Sequence, residues 1–200
     1  MEPAPIDHVA SHTVLFEDGL GQRSRHSDPA GGPGTDVLTL RPSFATAPSF
    51  EFALRERAAR LASFRHASFV RVRNVERTTG ADPLLRVVSD AAQGIRLSDL
   101  LAGAHERQIP VDINAALCLV RQLVAAVAML HVRARDVAHG ALSLERLVVT
   151  PQARLLISEY ILGAALEQLR YPRERYWSEY LGELAAKQLS RGPAGKETSA

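Results

Sequence analysis

Few residues in this 200-residue chain have a type and spacing that could do chemistry. Gly19-Leu20-Gly21 follows an apolar run. Such a Gly-x-Gly can let backbone N–H groups approach a phosphate, although a plain hairpin turn uses the same pair. Residues 137–150 place His139 and Glu145 just ahead of an apolar run. His139 reads as a core histidine that ties a loop together. Glu145 reads as a carboxylate bonded to backbone or to an arginine, or as a solvated one. The segment Arg170-Tyr171-Pro172-Arg173-Glu174-Arg175-Tyr176-Trp177-Ser178-Glu179-Tyr180 holds the single Trp and three of the four Tyr. Trp, Tyr and Arg dominate binding hot spots, and aromatic rings can stack single-stranded bases. Glu174 and Glu179 oppose a nucleic-acid groove, and Tyr176, Trp177 and Tyr180 on one helix face would equally fill a core.

Other chemistries are excluded by composition. Cys118 is the only cysteine, so no intramolecular disulfide can form, and a reducing cytoplasm is the expected compartment. The seven His show no zinc-ligand spacing. A formal charge of +2 gives no electrostatic case for nucleic acid or an anionic membrane. Met1-Glu2-Pro3-Ala4-Pro5 lacks the basic start and apolar run of a signal peptide. The longest uncharged apolar stretch, residues 122–132 between Arg121 and Arg133, falls short of the about 20 residues a bilayer span needs. An apolar content of 46% is enough for a real core.

The elements that must position these groups change character along the chain. Thr13-Val14-Leu15-Phe16 predicts a strand that runs into the turn Asp18-Gly19-Leu20-Gly21. Residues 28–34 are a Gly- and Pro-rich loop, and Val37-Leu38-Thr39-Leu40 is the second strand candidate. A helix is expected from Phe50 to about Phe64, capped by Ser49, with Leu54, Ala58, Leu61 and Ala62 on one face. Residues 69–75 alternate as a half-buried strand should, and residues 84–88 form another. Leu97, Leu100 and Leu101 mark a short helix. Asp112 caps the clearest helix, whose buried stripe is expected at Ile113, Ala116, Leu117, Val120, Leu123, Val124, Val127 and Leu130. Strands with one helix, followed by mostly helix, predict an α+β chain with two lobes.

This order resembles the protein kinase fold, of the bacterial serine/threonine type. Residues 61–70 are similar to the end of the kinase C-helix and its His-containing exit. Val87-Val88-Ser89-Asp90-Ala91-Ala92-Gln93-Gly94 looks like the last N-lobe strand and hinge. The helix after Asp112 sits where the E-helix precedes the catalytic loop, and Leu147-Val148-Val149 with Arg154-Leu155-Leu156-Ile157 resembles the hairpin that follows. The patterns run in register from about Thr13 to Ile161. The resemblance divides the chain into a flexible start (1–12), an N-lobe-like part (13–93), a partial helical C-lobe-like part (94–189) and a disordered tail (190–200).

The resemblance also implies roles, and most of them are lost. Kinase catalysis is positioning and charge stabilisation of a phosphoryl group by metal and cations. The third-strand Lys has no counterpart, since the first lysine is Lys187; Arg41 is the nearest cation, and a planar guanidinium replaces an ammonium poorly. The C-helix Glu falls near Arg57, with Glu56 one register away. After His139 the catalytic Asp becomes Ala141 and the metal-binding Asn becomes Arg146, which would repel Mg²⁺. The Asp-Phe-Gly triplet becomes Glu159-Tyr160-Ile161, where a Glu can still bind Mg²⁺. Of three loop glycines only Gly19 and Gly21 remain, since Arg23 or Ser24 holds the third place.

No phosphotransfer is therefore expected, and no cofactor is required. If ATP and Mg²⁺ do bind, Gly19, Gly21 and the hinge residues Asp90 and Ala92 would hold the nucleotide, and Glu159 the metal. The resemblance implies an inactive kinase-like module that binds a protein partner in signalling, without nucleic acid or membrane. The alternatives are a divergent serine/threonine kinase that binds ATP and transfers phosphate weakly, and a helical interaction protein unrelated to kinases. The stretch from Tyr160 onward is expected to be too short for a full C-lobe, which would leave the long helix partly uncovered.

Overall fold

The computed structural model describes residues 12–28, 31–133 and 141–171. His139, Tyr176, Trp177, Tyr180 and the expected tail at 190–200 lie outside them, as do residues 1–11 of the expected flexible start.

Five strands form one antiparallel sheet: β1 (His12–Glu17), β2 (Gly21–His26), β3 (Thr35–Leu40), β4 (Val72–Arg77) and β5 (Leu85–Asp90), in the order β1-β2-β3-β5-β4. The strand at 35–40 is thus third rather than second, because β2 lies before it. Its sequence, Gly-Gln-Arg-Ser-Arg-His, shows no apolar alternation. The period-2 signal is present in polar form: Arg23 and Arg25 point to the same side, opposite Leu38 and Asp36 of β3, which pair in turn with Val87 and Ser89 of β5. Cross-strand neighbours on one face of a sheet are in contact. That face grades from charge at one end (Arg25, Asp36) to the buried pair Leu40 and Leu85 at the other.

The apolar end is covered by the short helix α1 (Pro42–Ala45) and by α2 (Pro48–Arg60). Pro48 occupies the first turn, where its missing N–H costs nothing, and Ala47 is the extended N-cap. Ser49 therefore does not cap this helix. It stops at Leu61 rather than Phe64, and its inward row is Phe50, Leu54, Arg57 and Leu61.

A second, three-stranded antiparallel sheet, β6 (Ile95–Arg96), β7 (Leu147–Val149) and β8 (Leu155–Ile157), lies beyond the hinge. It follows the expected hairpin at 147–157. It is stitched to the first lobe by Val70 N–H donating to Ile157 O at 3.0 Å and Ile157 N–H to Ser68 O at 2.8 Å. The remaining helices are α3 (Leu97–Glu106), α4 (Ile113–Arg133) and α5 (Leu162–Glu167), the last packed against α2.

Asp112 does cap α4, accepting from Ala115 N–H at 3.1 Å. The expected stripe on that helix splits. Leu130 and Ala126 are buried and Leu123 and Val127 are half-buried, but Ile113, Leu117, Val120 and Val124 face solvent, Ile113 at 71% exposure. Periodicity placed them on one face; nothing among the described residues covers the outer part of it. By length and composition residues 113–132 would suffice to cross a membrane. The helix is also tied to the β7–β8 hairpin, where Gln122 accepts from Leu155 N–H at 2.9 Å and donates to Ala153 O at 3.1 Å.

Candidate functional site

A cleft of about 340 Å³ opens between the charged end of the large sheet and the small one. Its walls bring together Phe16, Arg23, Arg25, Asp36, Glu145 and Glu159.

At its inner end four charged side chains close a ring. Arg23 grips Glu159 with two bonds, Nε to Oε1 and Nη2 to Oε2, both 2.8 Å. Arg146 reaches the same carboxylate from the other side, Nε to Oε2 at 3.0 Å. Arg146 Nη2 donates to Asp18 Oδ2 at 2.6 Å, and Arg23 Nη1 donates to Asp18 Oδ1, which completes the circuit. All four residues are buried, Arg146 at 1% exposure. Two cations and two anions cancel, so the ring brings no net charge into the interior; an unpaired buried ion would be far costlier.

The turn between β1 and β2 is built around the same acid. Asp18 Oδ1 accepts the N–H groups of Leu20 (2.8 Å) and Gly21 (3.2 Å). Gly21 is required there: its φ is +152°, and a Cβ would strike the Thr39 carbonyl across the β2–β3 pair. Gly19-Leu20-Gly21 thus forms a hairpin turn whose Leu20 and Gly21 amides bind an internal carboxylate, while the Leu20 side chain is fully buried. Asp18 is held by backbone N–H groups and guanidinium groups, the donors an anion such as phosphate would use.

Burial pushes the Glu159 carboxyl up, yet the combined pull of Arg23 and then Arg146 holds it below the usual carboxylate range. Burial likewise opposes the charge on Arg23, but Glu159 and Asp18 outweigh it and raise its pKa. Glu159 sits in the left-handed region at φ 54°, an uncommon backbone conformation for a residue other than glycine. Tyr160, next to it, places its ring edge-on to Phe69 (5.0 Å) and Phe64 (5.8 Å), and Ile161 is fully buried.

At the hinge end the Ala92 backbone is covered by a second internal pair. Arg25 and Asp36 face each other across β2 and β3 through two bonds of 2.7 and 2.8 Å. Asp36 Oδ2 accepts from Ala92 N–H at 3.0 Å, and Arg25 Nη2 donates to Ala92 O at 2.8 Å. The donor and acceptor of Ala92 are thus both satisfied from within. Asp90 turns outward and accepts from Arg73 at 2.6 Å. Between the two ends, the Phe16 ring carries the guanidinium groups of Arg23 (4.6 Å) and Arg96 (4.1 Å), a cation–π contact joining β1 to β6.

The other expected positions fall as follows. Arg41 does not enter the cleft; its guanidinium donates to Asp18 O at 3.1 Å behind the turn. Glu56 faces solvent and pairs with Arg60 at 3.3 Å, whereas Arg57 is the buried charged residue of that helix. Ala141 is buried. The cleft-facing residues of β3 are Asp36 and Leu38, so no cation comes from that strand. Glu145 is 8% exposed and lines the cleft, but its side chain makes no hydrogen bond or ion pair among the described residues. Among those residues no group of three His, Cys, Asp or Glu could hold a metal ion. Asp18, Arg23, Arg25 and Asp36 were not legible as site residues; the signal was two arginines two apart in a strand too polar to recognise.

No protein-family model and no curated protein sequence matches the chain. Its structure is similar to that of the maize SIRK1 (sucrose-induced receptor kinase 1) kinase domain bound to AMP-PNP, with a TM-score of 0.65 and 20% identity over 77% of this chain and 52% of that one. It is also similar to the PknI kinase domain of Mycobacterium tuberculosis, with a TM-score of 0.57 and 17% identity over 74% of this chain and 56% of that one. The chain spans about half the length of these domains. The fold is that of a protein kinase, two-lobed and α+β.

Proposed function

On this protein-kinase-like scaffold, we propose that the chain acts as a non-catalytic regulatory or protein-binding module in signalling, and that it neither binds ATP·Mg²⁺ nor transfers phosphate. The observation that carries the reading is the closed ring of Asp18, Arg23, Glu159 and Arg146. A magnesium ion at Glu159 would have to take its oxygens from two buried guanidinium groups. A phosphate at the β1–β2 turn would have to displace Asp18 from two amides. An adenine at the hinge would have to displace the Arg25–Asp36 pair from Ala92. The residues present do not fit a metal–nucleotide pair, and Ala141 offers no base.

The binding half of the proposal rests on α4. Ile113, Leu117, Val120 and Val124 form an exposed apolar row of the kind that marks a protein contact. Cys118, also exposed, suits a reducing compartment such as the cytoplasm.

Incubation of the purified chain with labelled ATP and Mg²⁺, alone and with a generic protein substrate, is expected to give no transfer above a protein-free blank. Label incorporated in proportion to chain concentration would replace this reading with that of a divergent kinase.

A further inference from the structure

We propose that the cleft takes a small organic cation, an ammonium or amidinium on an apolar body, with Glu145 as its counter-ion. This rests on the reading that nucleotide is excluded, because it concerns the same cleft. The charges in the wall separate cleanly. Arg23 and Glu159 belong to the ring, Arg25 is matched by Asp36, and Arg96 is matched by Asp99 through bonds of 2.7 and 2.9 Å. Glu145 alone in that wall has no partner among the described residues, although it is more than nine-tenths buried.

The Glu145 side chain faces the cleft with no cation beside it among the described residues, and a ligand that carries one gains a charge-assisted bond there. An anionic ligand would meet Glu145 unfavourably and would find the arginines already engaged. The rest of the wall sets the ligand's body. Val14, Phe16, Leu38, Val87 and Val148 present apolar surface, and about 340 Å³ falls in the size range of small-ligand pockets. The position of Glu145 is fixed by the 3₁₀ turn Leu144–Arg146, whose last residue, Arg146, is anchored in the ring. The acid is therefore pre-placed, and binding need not reorganise the loop.

The experiment is calorimetric titration of the full chain with tryptamine and with tryptophol, which carries a hydroxyl where tryptamine carries an ammonium. Tryptamine is expected to bind about tenfold or more tighter than tryptophol, as a charge-assisted bond should. Glu145→Gln is expected to bring the two to within about twofold while leaving Tm unchanged or higher, since it removes a charge that has no partner. Val14→Trp, at a half-exposed edge-strand position, is expected to weaken both without touching Glu145. Equal affinities in the parent chain, no binding of either probe, or tryptamine affinity retained in Glu145→Gln would overturn the proposal. A parallel titration with ATP·Mg²⁺ separates the two readings: nucleotide binding there defeats the non-catalytic one, whereas amine selectivity is scored by itself.

Discussion

The two ends of the cleft are closed by the same chemistry at different depths. The inner ring is made of side chains that are 2–9% exposed, whereas the hinge pair has Arg25 at 35% and Asp36 at 19%. Both use paired guanidinium–carboxylate bonds, and both cover groups that a ligand would need. Depth decides what each contributes. A deep ion pair is weak evidence for net stability, but removing one member strands its partner in a low-dielectric interior. A half-exposed pair is screened by water and contributes little. The inner end is therefore a structural lock, and the hinge end a lid of modest strength.

The sharpest way to break this contrast is single substitution in the ring. Arg146→Met or Glu159→Gln should cost about 3–5 kcal/mol, read from the urea midpoint, because each leaves buried charge uncompensated. Replacing Arg23 and Glu159 together by Met should cost less than the two singles combined, with a coupling of about 1–3 kcal/mol in a double-mutant cycle. Acid should act on the same lock. Glu159 has a folded pKa below its unfolded value, so its contribution is fully present above about pH 4.3. That contribution is lost as pH falls through the depressed folded value, which a pH series of urea midpoints will show as a fall on the acid side that Glu159→Gln lacks.

At the hinge end the effects shrink. Asp36→Ala should cost about 1 kcal/mol or less by the same denaturation, and it should not open the cleft to ATP, because the ring still closes the inner end. On α4, Val124→Gln should change stability by no more than about 0.5 kcal/mol, since the side chain is 62% exposed.

Much of this was readable from the residues, and the exceptions share a cause. The helix cap at Asp112 follows from local pattern, whereas the hairpin at 147–157 and the hinge at 90–92 came from the likeness to the kinase order. The losses at Ala141, at Arg146 and on the third strand were visible once the chain was set against the kinase order. What was not visible is how the remaining charges recombine. Asp18 and Glu159 are far apart in sequence, and Arg23 lies on a strand whose polar composition hides its period. Arg146 read as a residue that repels a metal; it is also the cation that joins both acids. The exposed half of the α4 stripe marks the limit of periodicity, which identifies a face but not what covers it.

The central claim is that the ring keeps the cleft closed to a metal–nucleotide pair, and a thermal-shift titration with ATP·Mg²⁺ tests it most directly. A ligand present at 100 times its Kd stabilises a folded protein by about 2.7 kcal/mol. The account predicts no rise in Tm up to millimolar nucleotide; a saturable rise that requires Mg²⁺ would contradict it.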